Sequence, residues 1–164
     1  GDEVIVPPMS FVASANAIAL TGATPVFTDI GSDLNIDPNQ IAEQISSRTK
    51  AIMPVHYAGK MANMPAIMSI AQEHGLAVVE DASQAFGASL MGKKAGTFGK
   101  LGCISLNPMK ILAAFGEAGI VLTEDEELRA EVYDTICKTL VMDYKTEDLG
   151  IDDVEHSDEP VPEG

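Results

Sequence analysis

The stretch MPAIMSIAQEHGLAVVEDASQ, residues 64–84, joins a helical pattern to a buried strand. Its first half carries apolar side chains at the spacing i, i+3, i+4, i+7, which places them on one face of a helix. These side chains are Met64, Ile67, Met68 and Ala71. Gly75 is the residue type that commonly ends a helix, and the apolar run after it ends in two carboxylates. The stretch therefore predicts one helix–strand unit of an α/β protein.

The same alternation of helical patterns and short apolar runs extends along most of the chain. Runs typical of strands occur at residues 3–7, 24–29, 50–56, 76–84, 102–106 and 118–123. Strands that alternate with helices form βαβ units, and these build a mainly parallel sheet with helices on both faces. We predict a three-layer α/β/α fold with a mostly parallel sheet over residues 1–142.

Three further helices are predicted from composition and from their boundaries. Residues 11–20 are rich in small apolar side chains and predict a buried helix. Asp37, with Gln40 three residues later, has the capping-box pattern that begins a helix. Thr123 and Glu126 repeat this pattern before the last predicted helix.

Acidic residues dominate the charge of this chain. The 164 residues have a formal net charge of −15, and residues 143–164 carry nine acids against one lysine. Because the apolar pattern also ends there, we predict a domain edge near residue 142 and a flexible acidic tail over 143–164. A chain of this charge, without a basic face, repels phosphate backbones, which argues against nucleic-acid binding.

The cysteines and apolar runs exclude several other classes of protein. Cys103 and Cys137 form no CxxC pair, and the histidines lack the spacing of metal ligands, so the sequence predicts no disulfide framework and no metal site. No run of 18 apolar residues and no signal-like segment occurs. The sequence therefore predicts a cytoplasmic protein without a membrane span.

Polar side chains follow three of the predicted strands at the points where those strands end. Asp81 and Gln84 follow one strand, and His56 follows the strand before it. Ser105 and Lys110 lie at and after the end of a third. Because ligands of open α/β sheets bind at the carboxyl ends of strands, we expect these groups to share one site. The predicted site holds a carboxylate, an amide, a hydroxyl and an amine.

Pyridoxal 5′-phosphate is a cofactor that would use every member of this set. A lysine amine in an apolar run loses its proton more readily and can form a Schiff base with an aldehyde. A carboxylate can keep the ring nitrogen protonated, an amide can bind the ring oxygen, and a hydroxyl can bind the phosphate. The flat side chain of Phe11 could cover the ring face.

Taken singly, each of these residues also has an ordinary structural explanation. Lys110 could be a surface lysine, Asp81 a helix N-cap and Phe11 a core residue. Ser105 could bond only to the backbone. His56 could contact substrate or phosphate, or could be a hydrogen-bonded structural histidine.

Six segments together resemble, in order and spacing, the sugar aminotransferases of the DegT/DnrJ/EryC1/StrS family, which are fold type I pyridoxal phosphate enzymes. They are GDEVIVPPMSFVASANAI (1–18), GATPVFTDI (22–30), NIDP (35–38), RTKAIMPVHYAG (48–59), HGLAVVEDASQAFGA (74–88) and GCISLNPMKILAAFGEAGIVLT (102–123). The resemblance runs from Gly1 to about Leu140. It implies that residues 1–142 are the central part of the cofactor-binding large domain, an incomplete one.

The resemblance implies a role for each of five residues. Lys110 would bind pyridoxal phosphate as a Schiff base, and Asp81 would bind the ring nitrogen; these two are the implied catalytic residues. Gln84 would contact the ring oxygen, Ser105 the phosphate and Phe11 the ring face. Family members that dehydrate sugars have histidine at the lysine position, so Lys110 favours transamination over dehydration.

The resemblance also implies substrates, an assembly and an extent. The amino donor is expected to be glutamate, the acceptor a nucleotide-linked keto sugar, and the active assembly a homodimer. The phosphate-binding turn of the family precedes the point at which this chain begins, and a small C-terminal domain follows. We therefore expect a fragment that lacks part of the cofactor site and most of the substrate pocket. A truncated, non-catalytic family member and a pyridoxal phosphate-dependent sugar dehydratase are the alternatives.

Overall fold

The computed structural model describes the backbone of residues 1–140 and the side chains of residues 1–136. The elements are, in chain order, β1 (Glu3–Val6), α1 (Ala13–Leu20), β2 (Thr24–Phe27), α2 (Pro38–Gln44), β3 (Thr49–Ile52), a 3-10 turn (Tyr57–Gly59), α3 (Met64–His74), β4 (Ala77–Asp81), β5 (Ser89–Leu90), β6 (Lys93–Lys94), β7 (Leu101–Ser105), β8 (Gly119–Leu122) and α4 (Glu126–Leu140). Gly1–Asp125 form one compact unit, and a second unit begins at Glu126. The predicted domain edge near residue 142 and the predicted tail over 143–164 lie outside the described residues.

Six strands form one sheet in the order β2-β1-β3-β4-β7-β8. The first five are parallel to their neighbours, and β8 pairs antiparallel with β7. Parallel neighbours put their carboxyl ends at the same edge of a sheet, so β1, β4 and β7 deliver the residues that follow them to one side of the molecule. The prediction of a mostly parallel α/β sheet is confirmed.

A small hairpin of β5 and β6 stands apart from this sheet and was not predicted from the sequence. Its loop is the two residues Met91 and Gly92, with φ of 52° and 82°. Positive φ at both central residues is the conformation that a two-residue hairpin loop favours. Strands of two residues are too short to show an alternating pattern, which explains why sequence reasoning missed them.

The core of the compact unit lies between one face of the sheet and the helices α2 and α3. Ile5, Ile52 and Val78 point to this face from β1, β3 and β4 and are almost fully buried. The helices contribute Ile41, Met64, Ile67 and Ala71. The helix face predicted from the opening stretch is thus confirmed, with Met68 packed at its margin.

Helix α1 lies on the opposite face of the sheet. Its Ser14 bonds to Asp81, whose side chain alternates with those of Val78 and Glu80 along β4 and therefore points away from α2 and α3. The prediction of a buried helix over residues 11–20 is wrong in its bounds and in its burial. The helix begins at Ala13, and only Ser14 and Ile18 of it are buried.

The reason for this error is the composition of α1. A helix made mostly of alanine and other small apolar residues carries no polar stripe that would identify its outer face. In the structure one narrow stripe rests on the sheet, while Leu20 is 88% exposed. The uniform apolar character of α1 predicted a helix buried on all sides. Within Gly1–Asp125, however, only one side of the helix is buried.

The ends of the helices mostly follow the predicted signals. Asp37 caps α2 by accepting a hydrogen bond from the Asn39 N–H at 2.9 Å, and Gly75 ends α3 in the left-handed conformation. Thr123 does not act as predicted. Its hydroxyl accepts from the Asp125 N–H and donates to the Lys100 carbonyl, and the last helix begins three residues later, at Glu126.

None of the helices in the described part of the chain combines the length and the apolar character needed to cross a bilayer.

Candidate active site

A cavity of about 430 Å³ opens at the carboxyl ends of β1, β4 and β7. All five residues predicted for the site line it, namely Phe11, Asp81, Gln84, Ser105 and Lys110. A volume of this size falls in the range of pockets that bind small molecules and cofactors. The structure therefore brings the five predicted side chains together, although they are spread over 100 residues of sequence.

Asp81, the last residue of β4, has a carboxylate held by two donors. Its Oδ2 accepts from the Ser14 hydroxyl at 2.7 Å, and its Oδ1 accepts from the Ser83 N–H at 3.0 Å. The backbone is fixed as well, because the Asp81 N–H donates to the Pro54 carbonyl at 2.9 Å. A carboxylate with this support keeps one orientation at the edge of the cavity.

Gln84 presents the donor end of its amide to the cavity. Its Oε1 accepts a hydrogen bond of 2.9 Å from the backbone N–H of Ala58, which requires the oxygen to occupy that side of the amide. Ala58 has a φ of 51°, the left-handed conformation, within the turn after β3. With the oxygen engaged, the Nε2 hydrogens remain to bind an acceptor such as a ring oxygen.

Ser105 and Lys110 are held by a compact loop between β7 and β8. The Ser105 hydroxyl accepts from the Asn107 N–H at 3.2 Å, and the Lys110 N–H donates to the Asn107 carbonyl at 2.8 Å. The Asn107 side chain donates to both oxygens of Glu117, at 2.9 and 3.0 Å. Asn107 thus ties together the hydroxyl, the lysine backbone and the far end of the loop.

The ammonium group of Lys110 has no hydrogen-bond or ion-pair partner among the described residues. The apolar run around it, however, does not bury it as the sequence suggested. Met109 and Ile111 are 92% and 73% exposed, and Lys110 itself is half-buried. Apolar neighbours in sequence predicted an apolar environment, but in a tight loop their side chains diverge from the lysine toward solvent.

Phe11 lies at the rim of the cavity, just before α1, and is 70% exposed. The structural alternative of a core phenylalanine is therefore wrong. An exposed aromatic face beside a cavity can cover a flat ring.

His56 does not belong to this site. It is fully buried on the face of the sheet to which Glu80 points, opposite to Asp81. There its Nε2 lies 2.9 Å from Oε2 of the equally buried Glu80. Its Nδ1 accepts from the Ala62 N–H at 3.2 Å, so the ring proton sits on Nε2 and is donated to Glu80. Of the two explanations left open by the sequence, the structural one is correct.

Glu80 also accepts backbone N–H groups from the loop of residues 96–99. Its Oε2 binds the Gly96 N–H at 2.9 Å, and its Oε1 binds the Phe98 and Gly99 N–H groups at 2.5 and 2.7 Å. Burial alone would raise the pKa of Glu80, but the hydrogen bonds from His56, Gly99 and Gly96 outweigh it and hold the pKa below its ordinary value of 4.5.

Sequence reasoning missed seven residues of the cavity lining, namely Ser10, Ala13, Ser14, Ser83, Asn107, Met109 and Glu117. Ser10 lies outside α1, which begins at Ala13, so no helical spacing linked it to Ser14 in the sequence. Asn107 and Glu117 gave no signal either. Their contact depends on how the loop between β7 and β8 folds back on itself.

The fold and the site define an α/β protein with an amine, a carboxylate, an amide and a hydroxyl gathered at the carboxyl edge of a parallel sheet. Residues 1–151 match the model of the DegT/DnrJ/EryC1/StrS aminotransferase family. The chain belongs to this family.

Three similar proteins illustrate the match. A UDP-N-acetyl-3-dehydro-alpha-D-glucosamine 3-aminotransferase of Acidithiobacillus ferrooxidans is 48% identical over 133 residues, covering 80% of this chain and 36% of that protein. The structure of Streptomyces venezuelae DesV in complex with a ketimine intermediate is 42% identical, with a TM-score of 0.77, covering 80% of this chain and 36% of that one. Bacillus subtilis NtdA with bound cofactor PMP is 42% identical, with a TM-score of 0.73, covering 78% and 29%. The chain spans about a third of the length of these proteins.

Proposed function

We propose that this chain is part of an aminotransferase that uses pyridoxal 5′-phosphate to move an amino group onto a keto sugar carried by a nucleotide. The observation that supports this most strongly is the shared cavity of Lys110, Asp81, Gln84, Ser105 and Phe11. The five side chains have different chemistries, and each corresponds to one functional group of the cofactor.

The donor set of the cavity fits this cofactor. Lys110 would bind the aldehyde carbon, and Asp81, held by two donors, would face the ring nitrogen. Gln84 has its oxygen occupied and would donate from Nε2 to the ring oxygen. Ser105 would donate its hydroxyl proton to the phosphate, since among the described residues that hydroxyl is engaged only as an acceptor, by the Asn107 N–H. Phe11 would cover the ring.

When bound, pyridoxal phosphate supplies an electron sink for negative charge at the carbon next to the reacting nitrogen. The chain's own residues supply the rest. Lys110 Nζ is the one amine among the described residues that line the cavity, and it would take the proton from the α-carbon of the amino donor and return it in the reverse direction. Asp81 would stabilise positive charge on the ring nitrogen throughout.

The substrates and the assembly are part of the same proposal. Glutamate is the proposed amino donor, a nucleotide-linked keto sugar the acceptor, and a homodimer the active assembly, in the cytoplasm. The enzyme of Acidithiobacillus ferrooxidans named above acts on a UDP-linked sugar, which supports the acceptor class. The lysine at position 110 supports amino transfer over sugar dehydration.

The direct test is to trap the cofactor on the protein. The 164-residue chain is incubated with pyridoxal phosphate, reduced with borohydride and digested, and the modified peptide is identified by mass spectrometry. We expect the label on Lys110, its loss in Lys110→Ala, and its retention in Lys60→Ala, in which an exposed lysine near Asp33 is removed. Label on other lysines with Lys110 unmodified would contradict the proposal.

The amino donor is tested in the same experiment. Glutamate added before borohydride should abolish the label on Lys110, because its amine displaces the lysine from the cofactor. If alanine abolishes the label and glutamate does not, the assignment of glutamate is wrong.

A further inference from the structure

Three side chains form a continuous hydrogen-bonded chain that ends at the carboxylate of Asp81. The hydroxyl oxygens of Ser10 and Ser14 are 2.6 Å apart, and the Ser14 hydroxyl donates to Asp81 Oδ2 at 2.7 Å. Ser14 is 5% exposed, so water has little access to compete for these bonds. These hydrogen bonds connect the segment after β1 with the end of β4, which are two of the three segments that line the cavity.

The direction of the hydrogen bonds follows from the number of protons. A serine hydroxyl has one proton, and that of Ser14 is given to Asp81. The proton in the bond between the two serines must therefore come from Ser10. The Ser83 N–H occupies Oδ1 of Asp81, so each carboxylate oxygen accepts one protein donor and keeps a second acceptor position. The carboxylate can therefore still accept a further donor in the cavity.

Ser14 is not occupied with a local task that would explain its position. It is the second residue of α1, two residues after the N-cap residue Val12, and the N-terminus of α1 has no side-chain cap. Its hydroxyl instead reaches a residue 67 positions away in sequence. A buried hydroxyl that donates across the cavity wall to a carboxylate restricts the rotation of that carboxylate.

We propose that Ser14, supported by Ser10, is a positioning residue that fixes the Asp81 carboxylate for its contact with the ring nitrogen of pyridoxal phosphate. The inference rests on the proposed function, since it takes Asp81 as the partner of that nitrogen. Ser10 also neighbours Phe11, so the same bonds hold the aromatic rim and the carboxylate in one arrangement.

The test separates an effect on the ring nitrogen from a general loss of structure. All variants are made in a Lys110→Ala background, where binding is non-covalent, and dissociation constants are measured for pyridoxal phosphate and for its 1-deaza analogue, which has carbon in place of the ring nitrogen. We expect Ser14→Ala to weaken binding of pyridoxal phosphate about tenfold, the typical effect of one hydrogen bond to a charged group. Binding of the analogue should not change.

Two further variants complete the experiment. Ser14→Thr keeps a hydroxyl and should bind both compounds like the background protein, while Ser69→Ala, an exposed serine on α3, is the control that should change nothing. If circular dichroism shows that Ser14→Ala does not fold, binding is measured on Ser10→Ala instead. This variant removes the hydrogen bond from Ser10 and leaves Ser14 in place. We expect a smaller loss, again confined to pyridoxal phosphate.

Equal weakening of both compounds, no weakening of either, or no binding of either by the background protein would each overturn the inference. These results are distinct from failure of the proposed function. That function fails if borohydride does not trap the cofactor on Lys110 of the unmodified chain, whatever the serine variants do.

Discussion

Glu80 and Asp81 are neighbours in sequence with the same functional group and opposite environments. Alternation along β4 points Asp81 into the cavity and Glu80 into the interior beside His56. Glu80 accepts hydrogen bonds from His56 and from three backbone N–H groups of the loop 96–99. This buried carboxylate holds the strand end that presents Asp81.

Glu80→Gln tests that structural role. The amide retains one acceptor oxygen and has no charge, so at least one of the buried donors loses its partner. We expect the free energy of unfolding to fall by about 2–4 kcal/mol, measured by urea denaturation. Glu73→Gln, on the exposed surface of α3, is the matched control and should be neutral. Equal stability of the two variants would contradict the role assigned to Glu80.

The stabilisation by Glu80 should depend on pH in a defined direction. Because its pKa is held below 4.5 in the folded protein, the unfolded chain binds its proton more readily. The contribution is therefore fully present above 4.5 and is lost as the pH falls through the lowered folded pKa. The stability difference between the parent and Glu80→Gln should be constant near neutral pH and shrink in acid. A difference that grows in acid would be the opposite of this result.

Phe11 was proposed from its flat side chain and from the family resemblance. The other four candidate site residues, Asp81, Gln84, Ser105 and Lys110, could be predicted from sequence because they lie at or after strand ends, and parallel strands end at one edge. The environment of His56 could not. His56 comes after Pro54, beyond the end of β3. The in-and-out alternation of side chains along β3 therefore does not predict which face of the sheet the His56 side chain points to. Its burial depends on Glu80 and on Ala62, both distant in sequence.

At the scale of elements, the loop between β7 and β8 is what places Lys110 near Asp81. The loop is closed at its base by the Leu106 N–H donating to the Ala118 carbonyl at 2.9 Å. Asn107 adds bonds to Ser105, to Glu117 and to the backbone of Met109. These contacts are local to the loop, so their loss should affect the lysine more than the fold.

Asn107→Ala should therefore slow the reaction of Lys110 with pyridoxal phosphate and leave stability nearly unchanged. We expect a rate of borohydride-trappable labelling reduced about tenfold, with a change in unfolding free energy below about 1 kcal/mol because the bonds between its side chain and Glu117 are exposed to solvent. Asn39→Ala, at the start of α2, removes an exposed asparagine remote from the cavity lining and serves as the control. An unchanged labelling rate in Asn107→Ala would show that the hydrogen bonds of Asn107 are not needed to position Lys110.

Close packing of β7 against the loop 96–99 depends on a glycine. A Cβ at Gly102 would lie 2.0 Å from the Gly96 carbonyl oxygen, a backbone atom that cannot move aside alone. Gly102→Ala should lower the unfolding free energy by about 2–4 kcal/mol in urea denaturation. A Cβ at Gly119, in the paired strand β8, would lie 3.4 Å from the Ile104 carbonyl oxygen, which is an ordinary contact distance. Gly119→Ala should thus be tolerated, and equal effects of the two variants would be inconsistent with this packing.

Helices and strands with a periodic spacing of apolar side chains could be predicted from the sequence, and those without such a spacing could not. Helix α3 and strand β4 follow from the spacing of Met64, Ile67 and Ala71 and from Gly75 as the stop. The exposure of α1 did not follow, since its small side chains look alike on every face. The short β5–β6 hairpin likewise depends on two turn residues and no repeating pattern.

At the scale of the whole molecule, the parallel sheet gathers the site. Phe11, Asp81 and Lys110 come from three widely separated segments and meet because β1, β4 and β7 run in the same direction. The order β2-β1-β3-β4-β7-β8 follows from pairing between strands, which no local pattern in the sequence encodes. The resemblance to the aminotransferase family supplied in advance what periodicity could not, namely which strand ends share one ligand.

We propose that Lys110 and Asp81 hold opposite sides of one pyridoxal phosphate molecule in this cavity. A crystal structure of the chain, reduced with borohydride in the presence of the cofactor, measures this directly. We expect the ring bonded to Lys110 Nζ, its nitrogen within hydrogen-bond distance of Asp81 and its phosphate near Ser105. A cofactor bonded to Lys110 with its ring nitrogen turned away from Asp81, or bound elsewhere on the protein, would contradict the claim.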